Sequence, residues 1–352
     1  MPFADAPPSD VVDALVQRND FLSCVLEEPR ETPELVEELG VSRSTVDRGM
    51  SALETAGLVE SCNDGYRTTS IGGVVTTDFL AFMESVEKAS RDRGRAREDV
   101  PAVDIVNTVS SRQPVLESLQ TEPKDKRALV DELELSRSTI DRSIRELEMQ
   151  GLVEYSDGAL IVTPVGQLAI DGLSELTDTI EIGQRLEEFL EWMPMDEFGV
   201  DIRLLADADI IVAEPGDPWS MINQHIQLLK TMDEGRFLLP ITGMHAAETA
   251  HERVVENEAG CELVVEPSVA ETHQADPNYA PIVEEIVATG RVDVYQYEGE
   301  LPYGLALVGG TVQVITAEGD EPRALLETEN DEVRDWAEGK YEEYKQQSQK
   351  LT

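Results

Sequence analysis

Apolar residues in the first half of the chain recur at helical spacing, and they do so twice in the same order. Val46, Met50 and Leu53 stand at i, i+4 and i+7, and 94 positions later Ile140, Ile144 and Leu147 repeat the stripe. Such a stripe is the buried face of an amphipathic helix. The surrounding segment LVEELGVSRSTVDRGMSALETAGLVE (35–60) returns as LVDELELSRSTIDRSIRELEMQGLVE (129–154), with SRST, Asp-Arg, Leu-Glu and GLVE unchanged. Two copies this far apart are too widely spaced for a solenoid and describe a duplicated small domain.

Each copy carries the same punctuation. A short helix is predicted over 32–39 and from 123 or 124 to 134, followed by a tight turn, with Ser42 or Ser136 as the N-cap of the next helix. That helix is predicted to end at Gly57 or Gly151. Leu-Val-Glu then opens a strand, Asn63–Gly65 or Ser156–Gly158 turns a hairpin, and a further helix follows with Gly72 or Gly166 near its start. Helix, turn, helix, β-hairpin, helix is the order of a winged helix-turn-helix.

From about Val200 the period changes. Short apolar or β-branched runs at 208–213, 237–241, 262–265, 292–297, 303–308 and 311–316 read as strands, with helical stretches at 219–232, 246–258 and 282–288. Strands alternating with helices predict an α/β domain. Val308–Gly310 turns an antiparallel hairpin, and a charged helix runs from Asp331 to about Gln347. The expected fold class is α/β (α+β overall): two winged helix-turn-helix domains followed by an α/β sensor-like domain. The divisions expected are 10–90, a basic linker 91–103, 104–180, a connecting helix 181–199, and 200–352.

SRSTVDR and SRSTIDR, each leading into Leu-Glu, GLVE and a wing, resemble the recognition helices of archaeal winged-helix transcription regulators across 10–90 and 104–180. ELPYGLALVGGTVQVIT (300–316), RALLET (323–328) and the terminal helix resemble the ligand-sensing-type domain that follows the winged helix in the archaeal methanogenesis-regulator family and related haloarchaeal regulators. The resemblance implies a tandem regulator with double-stranded DNA as partner, and a last domain that senses a small-molecule effector, dimerises, or both.

Charge bears on the solvent before it bears on function. The 72 acidic residues outnumber the 28 basic ones for a net charge of −44, and 21 of those cations are Arg against 7 Lys. The acids are spread evenly and never form a block of five, unlike an acidic tail. With 41% apolar residues the chain can build a core, which excludes disorder. A carboxylate surface nearly stripped of Lys resembles proteins that work in molar potassium chloride. There the Debye length is about 3 Å and self-repulsion is screened. Three Cys support no disulfide framework, and no apolar run approaches the roughly 20 residues of a spanning helix. The expected setting is cytoplasmic, with no membrane partner.

Advancing about 100° per residue from Ile140 places Ile144 and Leu147 within about 40° of it, and Ser138, Arg142 and Arg145 near the opposite pole. Ser44, Arg48 and Ser51 are their counterparts in the first copy. A recognition helix lies in the major groove, where Arg bonds guanine O6 and N7 and Ser or Thr contacts bases or phosphates. Arg48, Arg142 and Arg145 are therefore assigned to base readout, and Arg43 and Arg137 to phosphate positioning, beside Ser42, Ser44, Thr45, Ser136, Ser138 and Thr139. Arg67 on the first wing and Lys124 and Lys126 at the second copy's short helix join the DNA-contact set. So does the cationic run Lys88, Arg91, Arg93, Arg95 and Arg97 between the copies. In molar salt counterion release fades, so base contacts must carry more of the binding.

Catalytic signatures are missing from the sequence: neither phosphate-loop nor dinucleotide glycine patterns occur, and no His-Glu-x-x-His. His225, His245, His251 and His273 lack metal-ligand spacing, so no metal, no cofactor and no enzyme activity are expected. Trp219, Tyr279, Tyr295 and Tyr303 are candidates to line an effector pocket. The amphipathic stretch 173–192 is the candidate interface of a homodimer suited to two-fold operators. The alternative reading is a protein-interaction scaffold whose winged helices bind other proteins.

Overall fold

Pro8 opens the first helix, α1 (Pro8–Val25), where Val11, Val12, Leu15, Leu22 and Val25 are buried. Proline suits the first helical turn because the N–H it lacks would have no partner there. The computed structural model of the chain describes residues 3–92, 100–213, 216–217, 219–319 and 321–351. It divides into two units, Met1–Gln184 and Arg185–Thr352.

In the first unit α1 is followed by α2 (Thr32–Leu39), α3 (Arg43–Thr55), the strands β1 (Val59–Cys62) and β2 (Gly65–Thr68), and α4 (Ser70–Asp92). The second copy runs α5 (Ala102–Ser111), α6 (Gln113–Thr121), α7 (Lys126–Leu133), α8 (Arg137–Met149), β3 (Val153–Ser156), β4 (Ala159–Val162) and α9 (Pro164–Trp192). The predicted stripes are buried: Val46, Met50 and Leu53 on α3, and Ile140, Ile144 and Leu147 on α8, each at most 1% exposed. Burying each such side chain contributes about 1.5–3 kcal/mol. Gly57 and Gly151 take positive φ (70° and 71°) just past α3 and α8, as a terminating glycine does. Both hairpins are antiparallel, and a single bridge adds a third short strand to each, Arg30 to Tyr66 and Lys124 to Leu160.

That bridge corrects the predicted start of the second copy's short helix. Lys124 lies in the bridge, so α7 begins at Lys126 behind Asp125, whose carboxylate accepts the N–H groups of Arg127 and Ala128. A second feature absent from the sequence reading is a bend at one place in both copies. Within α1, Arg18 leaves helical geometry (φ −133°, ψ 20°), and its counterpart Arg112 (φ −119°, ψ 15°) separates α5 from α6. The expected dimer face is also corrected. Leu173, Leu176 and Ile180 of α9 are buried within the chain, Gly172 lies against Phe82 of α4, and Thr179 donates to Asp78 at 2.9 Å.

The second unit is a sheet with helices on its faces. Its elements are β5 (Asp209–Val212), α10 (Ser220–Lys230), β6 (Glu234–Leu239), α11 (Met244–His251), β7 (Gly260–Val265), α12 (Pro267–Ala275), α13 (Ala280–Ala288), β8 (Val292–Gln296), β9 (Gly304–Val308), β10 (Thr311–Glu318), β11 (Glu321–Thr328), α14 (Asp331–Gln346) and β12 (Gln349–Lys350). The order across the sheet is β12-β8-β7-β6-β9-β10-β11-β5. The β6–β7 and β7–β8 pairings are parallel and the rest antiparallel. The sequence pattern missed α12, β11 and β12. On one face Phe237, Cys261, Val292, Ala306 and Val308 pack with Leu228, Leu229 and Met232 at the end of α10 and Ile286 of α13. On the other, Tyr341 and Lys345 of α14 both donate to Glu262 of β7.

Candidate functional site

The buried stripes of α3 and α8 fix what those helices show outward. Ser42 caps α3 by accepting the Thr45 N–H at 3.3 Å, and Ser136 caps α8 by accepting that of Thr139 at 3.2 Å. The capping hydroxyls also share hydrogen bonds with Ser44 and Thr45 (3.0 and 2.9 Å) and with Ser138 and Thr139 (both 2.8 Å). Each SRST motif is thus a hydroxyl cluster at a helix N-terminus, where the orphan N–H groups and the dipole favour an anion. Arg43, Ser44, Arg48 and Ser51 are exposed on α3, as are Arg137, Ser138, Arg142 and Arg145 on α8.

The two copies differ in how their cations are held. Arg142 donates from Nε to Glu146 at 3.0 Å, and the same carboxylate receives Arg112 at 2.7 Å. These bonds, that of Arg112 foremost, hold the Glu146 carboxyl below its usual range. Lys126 donates to Asp141 at 2.8 Å. That bond and the Lys126 charge lower the Asp141 carboxyl, with Arg137 and Arg145 adding to the effect. In the first copy Ala52 stands where Glu146 would be, and among the described residues Arg48 donates to the Ser44 carbonyl at 3.1 Å and to no acid. Arg43, Arg137 and Arg145 have no ion-paired acid among the described residues. The sequence could name the outward Arg residues but not which of them are tied down.

Other predicted contacts are placed differently. Lys124 is 9% exposed, with its ammonium on Glu132 (2.7 Å), Ser118 and Thr121. It therefore leaves the DNA-contact set; its backbone role in the bridge draws the side chain inward. Arg67 pairs with Glu60 at 2.7 Å on the exposed hairpin, and Arg91 pairs with Glu87 on α4. Lys88 is exposed. Arg93, Arg95 and Arg97 lie outside the described residues.

The second unit holds a cavity of about 1320 Å³ between the sheet and α10 to α13. Met221, Leu229, Phe237, Ala246, Ala250 and Ile286 make much of its wall. Of the four aromatic candidates only Trp219, 63% exposed, lines it. Tyr279 stands behind the wall against His273, with ring centroids 5.8 Å apart. Tyr295 lies under Lys345 (5.1 Å) and Lys350 (5.9 Å), and Tyr303 is fully buried beside Trp336. Both belong to the sheet's packing against α14 and leave the candidate ligand set.

Sequence reading missed the polar element of the cavity. His225, in its wall, meets Gln313 Oε1 through Nδ1 at 2.8 Å. Gln313 Nε2 donates to Glu327 at 2.6 Å, and Gln224 donates to the other oxygen of Glu327 at 2.8 Å. Burial pushes the His225 imidazole below its ordinary pKa. At the far wall Thr242 and His273 Nε2 are 2.9 Å apart. Positions 225, 313 and 327 are scattered along the chain, so no spacing signal could have joined them. Among the described residues no group of three or more acids, His or Cys could hold a metal ion. No described helix is long and apolar enough to cross a membrane.

No curated protein matches the chain. Among solved structures, TrmBL2, an archaeal chromatin protein described with a novel mode of DNA binding, is similar at 10% identity over 68% of this chain and 93% of its own, with a TM-score of 0.31. NucT from Helicobacter pylori is 12% identical over 41% of this chain and 98% of its own, also at 0.31. The S-adenosylmethionine-dependent methyltransferase SibL is 16% identical over 55% and 62%, at 0.20. These likenesses are too slight to carry an argument. The family models are more informative. One for the HVO_A0261 N-terminal domain matches residues 10–91 and again 101–185, and one for the middle domain of the methanogenesis regulatory protein FilR1 matches residues 218–347. With its duplicated N-terminal segment ahead of a FilR1-like middle domain, the chain is similar to archaeal regulators.

Proposed function

We propose that the chain is a sequence-specific, DNA-binding transcription regulator that reads the major groove with α3 and α8, works at high salt, and answers to a small molecule bound in its second unit. It acts by binding rather than catalysis. The observation that carries this reading is the two-sidedness of both helices: a fully buried apolar stripe backed by an exposed Ser/Arg face, behind a Ser-capped N-terminus. Arg48, Arg142 and Arg145 reach bases, and Arg43 and Arg137 hold phosphates. The even acidity and the Lys-poor surface support the salt adaptation. The FilR1-like match and the large apolar cavity support an effector.

The test is selection of bound duplexes from a random pool in molar potassium chloride, followed by gel shift. A consensus is expected, and Arg48→Ala and Arg145→Ala each weaken it by roughly 1–3 kcal/mol. Binding without sequence preference, or variants that bind as well as the parent, would overturn the reading. A protein-scaffold role has one observation in its favour, the exposed Leu135, Met149 and Tyr155 of the second copy. It predicts no consensus.

A further inference from the structure

We infer that the cavity in the second unit binds a neutral, largely apolar molecule through a single hydroxyl or N–H donor, taken up by Nε2 of His225. This deepens the effector part of the proposed function and rests on it for biological meaning, though not for its chemistry.

The direction of the bond follows from a chain of fixed donors. Glu327, as a carboxylate, accepts only, so both amides that reach it, Gln224 and Gln313, present Nε2. With its Nε2 committed, Gln313 turns Oε1 to His225, and an oxygen there requires His225 Nδ1 to carry the proton. Burial keeps the ring neutral. Nε2 is then a bare acceptor, and among the described residues nothing donates to it. An unsatisfied acceptor in an apolar wall recognises a donor, and rejects an isostere that lacks one because the nitrogen stays unpaired.

Charge selects against acids. Among the described residues the lining includes Glu284 and no Lys or Arg, its other ionisable side chains besides His225 being His245, beside Glu248, His273, beside Thr242, and Cys261, so a carboxylate or phosphate entering the cavity would meet no permanent positive charge. Phe237 meets the His225 ring edge-on, with centroids 6.5 Å apart, and Met221, Leu229 and Met232 also line the cavity, which favours a hydrocarbon body. The class that fits is an alcohol or phenol with an extended apolar skeleton.

The test uses the full chain in 2 M potassium chloride, without DNA, and three probes: 1-decanol, decyl methyl ether and decanoate. Calorimetry follows binding. Decanol is expected to bind about tenfold more tightly than the ether, which lacks the donor, and decanoate more weakly than either. His225→Phe should bring decanol down to the ether. Ala250→Trp, which adds bulk to the cavity wall from α11 at a residue outside the hydrogen-bond chain, should weaken binding of all three, with circular dichroism confirming the fold. Absence of decanol binding, equal binding of alcohol and ether, tightest binding of decanoate, or decanol binding unchanged by Ala250→Trp would each overturn the inference. Operator binding is measured separately. Loss of sequence-specific DNA binding with intact decanol selectivity would remove the regulator reading alone, and the reverse result would remove this inference alone.

Discussion

Arg142 and Glu146 are joined by a 3.0 Å hydrogen bond along α8, and the first copy has no equivalent because Ala52 replaces the glutamate. On the proposed function, the difference makes the two copies unequal readers. Arg48 can turn to a base by giving up a bond to its own helix, whereas Arg142 must leave an acid. Arg48→Ala is therefore expected to cost about 1–3 kcal/mol of operator affinity and Arg142→Ala less, by fluorescence anisotropy on the selected consensus. Equal losses would mean that the carboxylate offers Arg142 no restraint.

Glu146 also ties stability to pH. Its folded pKa lies below the unfolded value of about 4.3, so the stabilisation is present above that pH and is lost as pH falls through the folded value. Glu146→Gln is expected to lower unfolding free energy by about 1 kcal/mol at pH 7, and the gap to the parent should close below about pH 4. Urea unfolding at the two pH values in the same salt checks this. A gap that persists in acid would assign the loss to packing.

Gly40 and Glu134 occupy equivalent positions, and both take left-handed backbone, with φ of 64° and 53°. A side chain there costs roughly 1–2 kcal/mol, partly offset because glycine frees the unfolded chain. Glu134→Gly should stabilise the protein by about 0.5–1 kcal/mol, and Gly40→Ala, with no neighbour within 4 Å to blame, should destabilise it by a similar amount. Denaturant midpoints at constant slope are the readout.

Salt dependence separates base readout from phosphate attraction. Two of the cations available for phosphate contact are already engaged, Lys126 with Asp141 and Arg67 with Glu60. Operator affinity is expected to change little between 1 and 3 M potassium chloride, well short of the slope of about −0.9 per neutralised phosphate. A steep decline over that range would show that phosphate contacts dominate.

The duplicated half was legible because its signals are local. The buried stripes, Ser42 and Ser136 as caps, and Gly57 and Gly151 as stops each depend on residues within a few positions, and all stand where the pattern puts them. What failed was set by distant partners. Lys124 read as a surface cation because nothing in its neighbourhood announces the bridge to Leu160. The 173–192 stripe read as an interface because its partner, α4, is about a hundred residues away. The His225 relay combines two such separations, His225 to Gln313 and Gln224 to Glu327. Aromatic type alone picked Tyr295 and Tyr303 for a pocket; sheet alternation sends Tyr295 to the α14 side, and Tyr303 packs on Trp336.

The doubling of the Ser/Arg helix within one polypeptide alters what association must accomplish. If both helices read DNA as proposed, engagement of one would hold the other near its own half-site at a local concentration that tethering can raise to the millimolar range. Two grips would then multiply, and a lone chain would gain the avidity that single-reader proteins obtain by pairing. Cutting the connection between the copies would then lower affinity without altering either Ser/Arg face.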